Sequence, residues 1–212
     1  HQIKTPLTSM AMLTDILLEQ PVDQAQRTVF LRRLDAQIRR IQWLVGALLK
    51  LSKLDSGTVS MDRKTISCQS LMEHCLLPLY PLMEQRRIRY LSQGQFNVCF
   101  TGDLLWMTEA VGNILKNCIE HTPPGGTVTV SAEGNPLYTE LVIEDTGEGI
   151  DPKDLPHLFE RFYRGKNASP DSVGIGLALS KSIIEKNGGI VDVQSRVGQG
   201  SRFSIRLYHG AV

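Results

Sequence analysis

The chain has 212 residues, of which 42% are hydrophobic and 21% are charged, and its formal net charge is +1 at pH 7. This length can bury the core of one large domain or of two small ones. The nearly balanced charge predicts no basic surface, so a nucleic-acid-binding protein is not expected. No apolar run approaches the roughly 18 residues of a membrane span, and no secretory leader opens the chain. We therefore expect these residues to form a soluble piece of protein.

Four cysteines are spread along the chain without a CxxC pair, at Cys68, Cys75, Cys99 and Cys118. Four are too few for a disulfide framework in a chain of this length, so we predict reduced thiols in the core. Cys118 and His121 have the i,i+3 spacing of a metal site on a helix, but no second pair of ligands accompanies them. Core packing is therefore the preferred interpretation of these two residues.

Residues 1 to about 54 have helical periodicity, interrupted where Pro21 and a capping Asp23 follow Gln20. This pattern predicts a helical hairpin. The apolar stripe of the first helix is Ile3, Leu7, Met10 and Leu17, and that of the second is Leu31, Leu34, Ile38, Ile41, Val45 and Leu48. His1 lies off the first stripe, and Pro6 is expected to bend the helix just after it.

The two stripes present more apolar surface than one hairpin can cover by itself, and their steps of three and four residues are those of a helical bundle. A second hairpin would cover that surface in a four-helix bundle. We therefore predict a homodimer through residues 1–54. The alternative is that the stripes pack against the domain that follows.

The rest of the chain has a different composition and a mixed pattern of periodicities. The second helix ends around Leu54–Gly57, and we predict domains at 1–57 and 65–212, joined by a linker at 58–64. The predicted elements are a bent helix at 70–86, helices at 104–121 and 175–187, and strands at 97–100, 127–132, 137–144, 190–195 and 201–207. Since no βαβ alternation is present, this order favours an α/β sandwich with helices on one face of a mixed sheet.

One polar motif follows a predicted strand. Asp145 ends the strand, and Gly147 and Gly149 follow it. The glycines would let the backbone approach a ligand closely, and the carboxylate can accept a hydrogen bond from an exocyclic amine such as that of adenine. A DxGxG segment taken alone is as easily an ordinary turn.

Two further motifs are compatible with a nucleotide. Gly174 and Gly176 open a predicted helix, where free backbone N–H groups and the helix dipole favour phosphate. Asn113 and Asn117 lie one helical turn apart and present amide oxygens that suit a hard cation such as Mg²⁺. Each motif alone has an ordinary structural interpretation, but the three occurring together in this order predict a nucleotide site.

These motifs and two others resemble the H, N, G1, F and G2 boxes of sensor histidine kinases. The matching segments are His1-Gln2-Ile3-Lys4-Thr5-Pro6, Asn113-Ile114-Leu115-Lys116-Asn117, Asp145-Thr146-Gly147-Glu148-Gly149, Phe159-Glu160-Arg161-Phe162-Tyr163-Arg164 and Gly174-Ile175-Gly176-Leu177. The resemblance covers essentially the whole chain. It implies a dimerisation and phosphotransfer hairpin followed by an ATP-binding domain of the Bergerat (GHKL) type.

The resemblance also implies the activity, the cofactors and the site. The kinase would use ATP and Mg²⁺ to phosphorylate its own histidine, and then pass the phosphate to an aspartate of a response regulator receiver domain. The implied cofactor-binding residues are Asn113, Asn117, His121, Asp145, Gly147, Gly149, Arg164, Gly174, Gly176 and Leu177, with Asn113 and Asn117 also holding the metal. The polar segment between Arg164 and Val173 has the composition of a lid that orders over nucleotide.

His1 matches the phospho-acceptor, and a neutral imidazole keeps a lone pair that can attack the γ-phosphate. Gln2 stands where the family commonly has an acidic residue; it can form a hydrogen bond but cannot take a proton. Thr5 matches the position that in related kinases orients water to dephosphorylate the partner. Phosphatase activity is therefore a second expectation, and a simple helix-surface threonine is its alternative.

Two further departures from the family pattern concern the nucleotide site. Glu120 places negative charge where a basic residue often follows the second Asn, and Ser172 replaces the first glycine of the usual GxGxG. They leave open a non-catalytic nucleotide-binding scaffold as an alternative. An ATPase of the topoisomerase or mismatch-repair kind is a weaker alternative, because those proteins lack the upstream histidine hairpin. The resemblance further implies a parent protein anchored in the membrane by upstream segments, with this portion in the cytoplasm.

Overall fold

The structure is a computed structural model that describes residues 3–165 and 173–210. The chain divides into two compact units, His1–Lys50 and Leu51–Val212. The first is helical, and the second contains helices and strands.

The first unit is built from helix α1 (Lys4–Glu19) and most of helix α2 (Gln24–Asp55). Gln20 is extended, and the Asp23 side chain accepts a hydrogen bond from Gln26 N at 2.7 Å, which satisfies a free amide in the first turn of α2. The break predicted around Pro21 is therefore confirmed.

Pro6 lies in the first turn of α1, where its missing N–H leaves no hydrogen bond of the helix unmade. The bend expected just after His1 concerns residues 1 and 2, which lie outside the described residues.

The apolar stripes of α1 and α2 remain partly exposed. Side chains with 42% to 53% of their surface accessible are Ile3, Leu7, Leu31, Ile38 and Val45. Several large apolar side chains at helical spacing form the kind of exposed surface that commonly marks an interface.

The second unit contains a five-stranded sheet in the order β2-β4-β5-β7-β6. Its strands are β2 (Arg89–Gly94), β4 (Thr127–Gly134), β5 (Tyr138–Asp145), β6 (Gly189–Arg196) and β7 (Gly200–Tyr208). β2 and β4 are parallel, and all other neighbours are antiparallel. Two short strands, β1 (Lys64–Ser67) and β3 (Cys99–Gly102), form a separate antiparallel pair.

Helices cover one face of this sheet. They are α3 (Cys68–Leu76), α4 (Tyr80–Arg86), α5 (Leu104–His121) and α6 (Gly176–Lys186). Alternate residues of the central strands are buried beneath them, among them Leu141, Ile143 and Phe203, which meet the apolar side of α5 and α6 in one core. The opposite face carries cross-strand ion pairs such as Arg206 Nε to Glu140 Oε1 at 2.8 Å. The predicted α/β sandwich with a mixed sheet is confirmed.

Three strands differ from the prediction. β2 was not predicted, because it is an edge strand whose residues are mostly exposed, so its sequence lacks a clear apolar alternation. β1 begins at Lys64, the last residue of the predicted linker, and β3 lies two residues later than the predicted 97–100. The bent helix predicted at 70–86 consists of α3 and α4. A 3₁₀ turn at Leu77–Leu79, which contains Pro78, separates them.

A buried carboxylate joins the linker to α5 and α6. Asp103, 7% exposed, caps α5 by accepting hydrogen bonds from Leu105 N and Trp106 N, and its second oxygen accepts from Asp62 N at 2.9 Å. Its own N–H donates to Asn187 Oδ1 at the end of α6, also at 2.9 Å. The end of the predicted linker is thereby tied to the two helices that carry the nucleotide motifs.

We expect Asp103→Ala to lower the free energy of unfolding of the second unit by about 2 kcal/mol, because it removes the cap of α5 and leaves the Asp62 N–H without its acceptor. Denaturant unfolding in a Trp43→Phe background would leave Trp106, in the first turn of α5, as the fluorescent probe. Asp192→Ala, on the exposed face of β6, is the matched control and should stay within about 0.5 kcal/mol of the parent. Equal losses in both variants would contradict a structural role for Asp103.

Candidate nucleotide-binding site

Helix α5 brings the two predicted asparagines to one side of the domain. Its apolar face is fully buried, and Asn113 and Asn117 lie one turn apart at partly exposed positions next to that face. The Asn113 Nδ2 atom is buried and has no hydrogen-bond partner among the described residues. Buried amide groups are almost always paired, so an unpaired one beside a surface indicates a place where a polar ligand binds.

Asp145 lies at the end of β5 and is 7% exposed. Its Oδ1 accepts hydrogen bonds from Gly147 N at 2.8 Å and from Ser201 N at 3.3 Å. Burial raises the pKa of the Asp145 carboxyl, and hydrogen bonds from Gly147 N, the Cys118 thiol and Ser201 N offset part of that rise. No cationic side chain pairs with this carboxylate in the hydrogen bonds and ion pairs of the described residues. It is thus an acceptor held in place by neutral donors.

The glycines after Asp145 are required by the protein itself. A Cβ atom on Gly147 would lie 2.5 Å from His121 O and 2.6 Å from Asp145 Oδ1. Gly149 has a φ of 71°, and a Cβ there would lie 2.2 Å from Arg196 O. The sequence interpretation placed a ligand against these glycines; in the structure the close neighbours are the end of α5 and the strand β6.

Gly200, in the turn between β6 and β7, was missed as part of this site. Its φ is 94°, and a Cβ there would lie 1.9 Å from Asp145 O. The next residue, Ser201, donates to the Asp145 carboxylate. The sequence of a turn does not indicate which distant residue its glycine will contact, so the contact between Gly200 and Asp145 could not be predicted.

Glu148 was also missed. His121 Nδ1 and Glu148 Oε1 are 3.0 Å apart, and Glu148 N donates to His121 O at 3.4 Å. The loop after Asp145 is therefore bound to the last residue of α5 through both backbone and side chain.

The two ends of the predicted lid lie side by side. Phe162 N donates to Gly174 O at 2.7 Å, and a Cβ on Gly174, whose φ is 72°, would lie 2.3 Å from Tyr163 O. Phe162 itself has a φ of 67°, a conformation that is uncommon for a bulky residue. Tyr163 Oη donates to Asp154 Oδ1 at 2.7 Å. Residues 166–172, which make up most of the expected lid and include Ser172, lie outside the described residues.

The predicted phosphate-binding helix is α6, which begins at Gly176, one residue after the predicted start. Ile175 is fully buried and Leu177 is partly buried, so the turn between the two glycines is packed into the core. Arg164, the basic residue of the F box, has an exposed side chain.

The second unit thus combines a buried strand-end carboxylate, two amide side chains on the neighbouring helix and a glycine turn that opens another helix. A family model of histidine kinase-, DNA gyrase B- and HSP90-like ATPases matches residues 102–210, and a model of the His Kinase A (phospho-acceptor) domain matches residues 1–57. The chain belongs to the two-component sensor histidine kinases.

Known histidine kinases resemble this kinase over nearly its whole length. Sensor protein SrrB of Staphylococcus aureus is 28% identical over 224 residues, which cover 98% of this chain and 36% of SrrB. The chain therefore spans about a third of the length of the curated relatives it matches. The histidine kinase AdeS of Acinetobacter baumannii has the same fold, with a TM-score of 0.83 at 20% identity over 99% of this chain and 98% of AdeS.

A second solved structure is the histidine kinase ThkA in complex with the response regulator protein TrrA. It matches 98% of this chain and 59% of ThkA, with a TM-score of 0.81 at 16% identity. In the part of the kinase that the structure describes, no helix combines the length and the apolar character that a membrane span needs.

Two predicted catalytic residues of the kinase, His1 and Gln2, lie outside the described residues. Thr5 is described, and it lies exposed in the first turn of α1. Glu120 was expected to place negative charge near the triphosphate. Its carboxylate lies 3.8 Å from Lys116 Nζ, which offsets part of that charge.

Three of the four cysteines are buried thiols, as predicted, and the fourth, Cys99, is exposed. Burial raises the pKa of Cys68 and of Cys75 to about 12, which keeps both as neutral thiols. Among residues 3–165 and 173–210 there is no cluster of three His, Cys, Asp or Glu side chains that could hold a metal.

We expect Gly147→Ala to lower the free energy of unfolding by about 2 kcal/mol, because the new methyl group forces the Asp145 loop away from α5. The same change should weaken ATP binding, measured by titration with a fluorescent nucleotide. Gly112→Ala is the matched control, since it precedes Asn113 in α5 and its Cβ would meet nothing within 4 Å. That variant should bind ATP normally and gain about 0.5 to 1 kcal/mol in urea unfolding. The prediction is wrong if both alanines behave alike.

Proposed function

We propose that this chain binds Mg-ATP between α5, the Asp145 loop and the start of α6, phosphorylates His1, and passes the phosphate to an aspartate of a response regulator receiver domain. The observation that carries the proposal is the buried Asp145 carboxylate, which is held by neutral donors. Such an acceptor at a strand end suits the exocyclic amine of adenine.

The asparagines suit the phosphate end of the nucleotide. The buried amide nitrogen of Asn113 has no partner among the described residues and can donate to a phosphate oxygen. Asn113 and Asn117 both have amide oxygens of the hard kind that Mg²⁺ prefers. These two residues would hold Mg²⁺, which supplies charge neutralisation on the β- and γ-phosphates. The N–H groups at the start of α6 would add donors for the same phosphates.

His1 would act as a nucleophile. A lone pair of the neutral imidazole attacks the γ-phosphorus, the bond from that phosphorus to the leaving ADP oxygen breaks, and the imidazole proton is released to give a phosphoramidate. Gln2 can orient the imidazole by a hydrogen bond but cannot accept that proton. The expected phosphatase activity rests on Thr5 alone and stays a prediction.

The hairpin supports a homodimer through residues 1–54. Its apolar stripes keep side chains such as Leu7, Leu31 and Ile38 about half exposed, and pairing with a second hairpin would bury them. The receiver domain is supported as partner by the solved ThkA–TrrA complex. Because SrrB is much longer than this chain, we also propose that the parent protein carries a membrane-anchored sensor region, with the kinase portion in the cytoplasm.

Autophosphorylation is tested with labelled Mg-ATP and protein that carries a few native residues before His1. We expect an acid-labile label that is absent from His1→Gln and reduced about a hundredfold in Asn117→Ala, since charge-stabilising groups of this kind contribute on that scale. Gln194→Ala, on the outer face of β6, should label like the parent. An unlabelled parent that still binds ATP would support the non-catalytic scaffold instead.

The raised pKa of Asp145 gives adenine recognition a pH dependence. As pH falls through that pKa the carboxylate gains a proton, so affinity for adenosine should fall, whereas Asp145→Asn should bind adenosine weakly at every pH. Adenosine is the suitable probe because it has no phosphate that titrates.

Ionisation of Asp145 has the opposite effect on stability, because the charged carboxylate lowers the free energy of unfolding. The folded state disfavours the charged form of Asp145, so its destabilising contribution is complete above the raised pKa and disappears below the ordinary carboxyl pKa. Asp145→Asn should therefore be more stable than the parent near neutral pH, and the difference should shrink on acidification. A pH-independent difference in the unfolding free energy would exclude burial of a charged carboxylate.

A further inference from the structure

The contact between α5 and the Asp145 loop contains one pair of side chains that the proposed function leaves unused, His121 and Glu148. Their atoms Nδ1 and Oε1 are 3.0 Å apart, and the side chains are 28% and 44% exposed. A carboxylate only accepts hydrogen bonds, so the Nδ1 atom of His121 must carry the proton. Nε2 is the ring nitrogen that takes no part in this contact.

The backbone holds this pair rigidly. Glu148 N donates to His121 O, and Gly198 N donates to Glu148 O at 2.7 Å, so the residue is fixed from both sides. Gly147 packs directly against His121 O, which leaves the loop no room to shift towards α5. A side chain mounted on backbone this constrained can orient its partner.

The pair lies within the candidate nucleotide site. His121 is one turn beyond Asn117 on α5, and Glu148 stands between Gly147 and Gly149. His121 is also close enough to Asp145 to lower the pKa of that carboxyl slightly, which partly offsets the larger effect of burial. His121 is therefore near the proposed adenine acceptor and on the same helix as the proposed phosphate ligands.

We propose that Glu148 is a positioning residue for nucleotide binding: it fixes His121 in the Nδ1–H tautomer and sets the ring orientation in which Nε2 can contact ATP. The inference rests on the proposed ATP site and adds a residue that acts only through His121. Since orientation requires an acceptor rather than a charge, glutamine at position 148 can replace glutamate.

The test combines a spectroscopic readout with kinetics. In nucleotide-free protein, ¹⁵N NMR of the imidazoles should show His121 protonated at Nδ1 in the parent and in Glu148→Gln, but not in Glu148→Ala. His157, whose Nδ1 pairs with Glu160 at 2.8 Å, is the internal reference and should not change in these variants.

In the autophosphorylation assay, Glu148→Ala should raise the KM for ATP about fivefold with little change in kcat, the loss expected for one hydrogen bond. Glu148→Gln should restore most of the affinity, and Glu133→Ala, at the far exposed end of β4, should leave KM unchanged. The inference is overturned if Glu148→Ala keeps the Nδ1–H tautomer, if its KM is normal, or if Gln fails to restore it. If the proposed ATP site is wrong, Asp145→Asn will bind ATP normally, while the NMR result for the His121 tautomer will still hold.

Discussion

The second unit depends on the burial of one carboxylate, Asp145, at the end of the central strand β5, where no cationic side chain of the described residues pairs with it. A buried charge of this kind is costly unless donors surround it. Here the donors are the backbone of Gly147 and Ser201, with the Cys118 thiol beside them. Both backbone donors come from turns that pass within contact distance of the strand, and this is possible only because residues 147 and 200 lack a side chain.

The second organising element is α5, which connects the linker to the nucleotide site. At its start Asp103 accepts from the helix and from Asp62 N, and at its end His121 binds the Asp145 loop. Between these ends the apolar face is completely buried against the sheet and α6. A helix fixed at both ends and along one side presents Asn113 and Asn117 at defined positions. The Asn113 amide, which has no partner in residues 3–165 and 173–210, therefore lies on a rigid surface.

Much of this fold could be predicted because its signals are local. Helix α5 was predicted with the bounds that the structure shows, since Asp103 is a capping residue and the helix is strongly amphipathic. The break at Pro21 and Asp23 and the strands β4 and β5 follow from equally local patterns. The edge strands β1 and β2 were missed because their exposed residues carry little periodicity. The contacts of Asp145 with Ser201 and of His121 with Glu148 were missed. These residues are 56 and 27 positions apart in the sequence, and the spacing within a motif does not indicate contacts with residues so far away.

The glycines of the site show what its motif requires. A motif of alternating glycines after an acidic residue is naturally interpreted as room for a ligand, and Gly147 and Gly149 were predicted on that basis. In the structure the nearest atoms to a side chain at either position belong to the protein, namely His121 O and Arg196 O. The glycines therefore close the loop onto α5 and β6, and this closure is what holds Asp145 and Glu148 in place. Nucleotide recognition in this kinase then depends on self-packing first, because the groups proposed to contact ATP are oriented only when the loop lies against its neighbours.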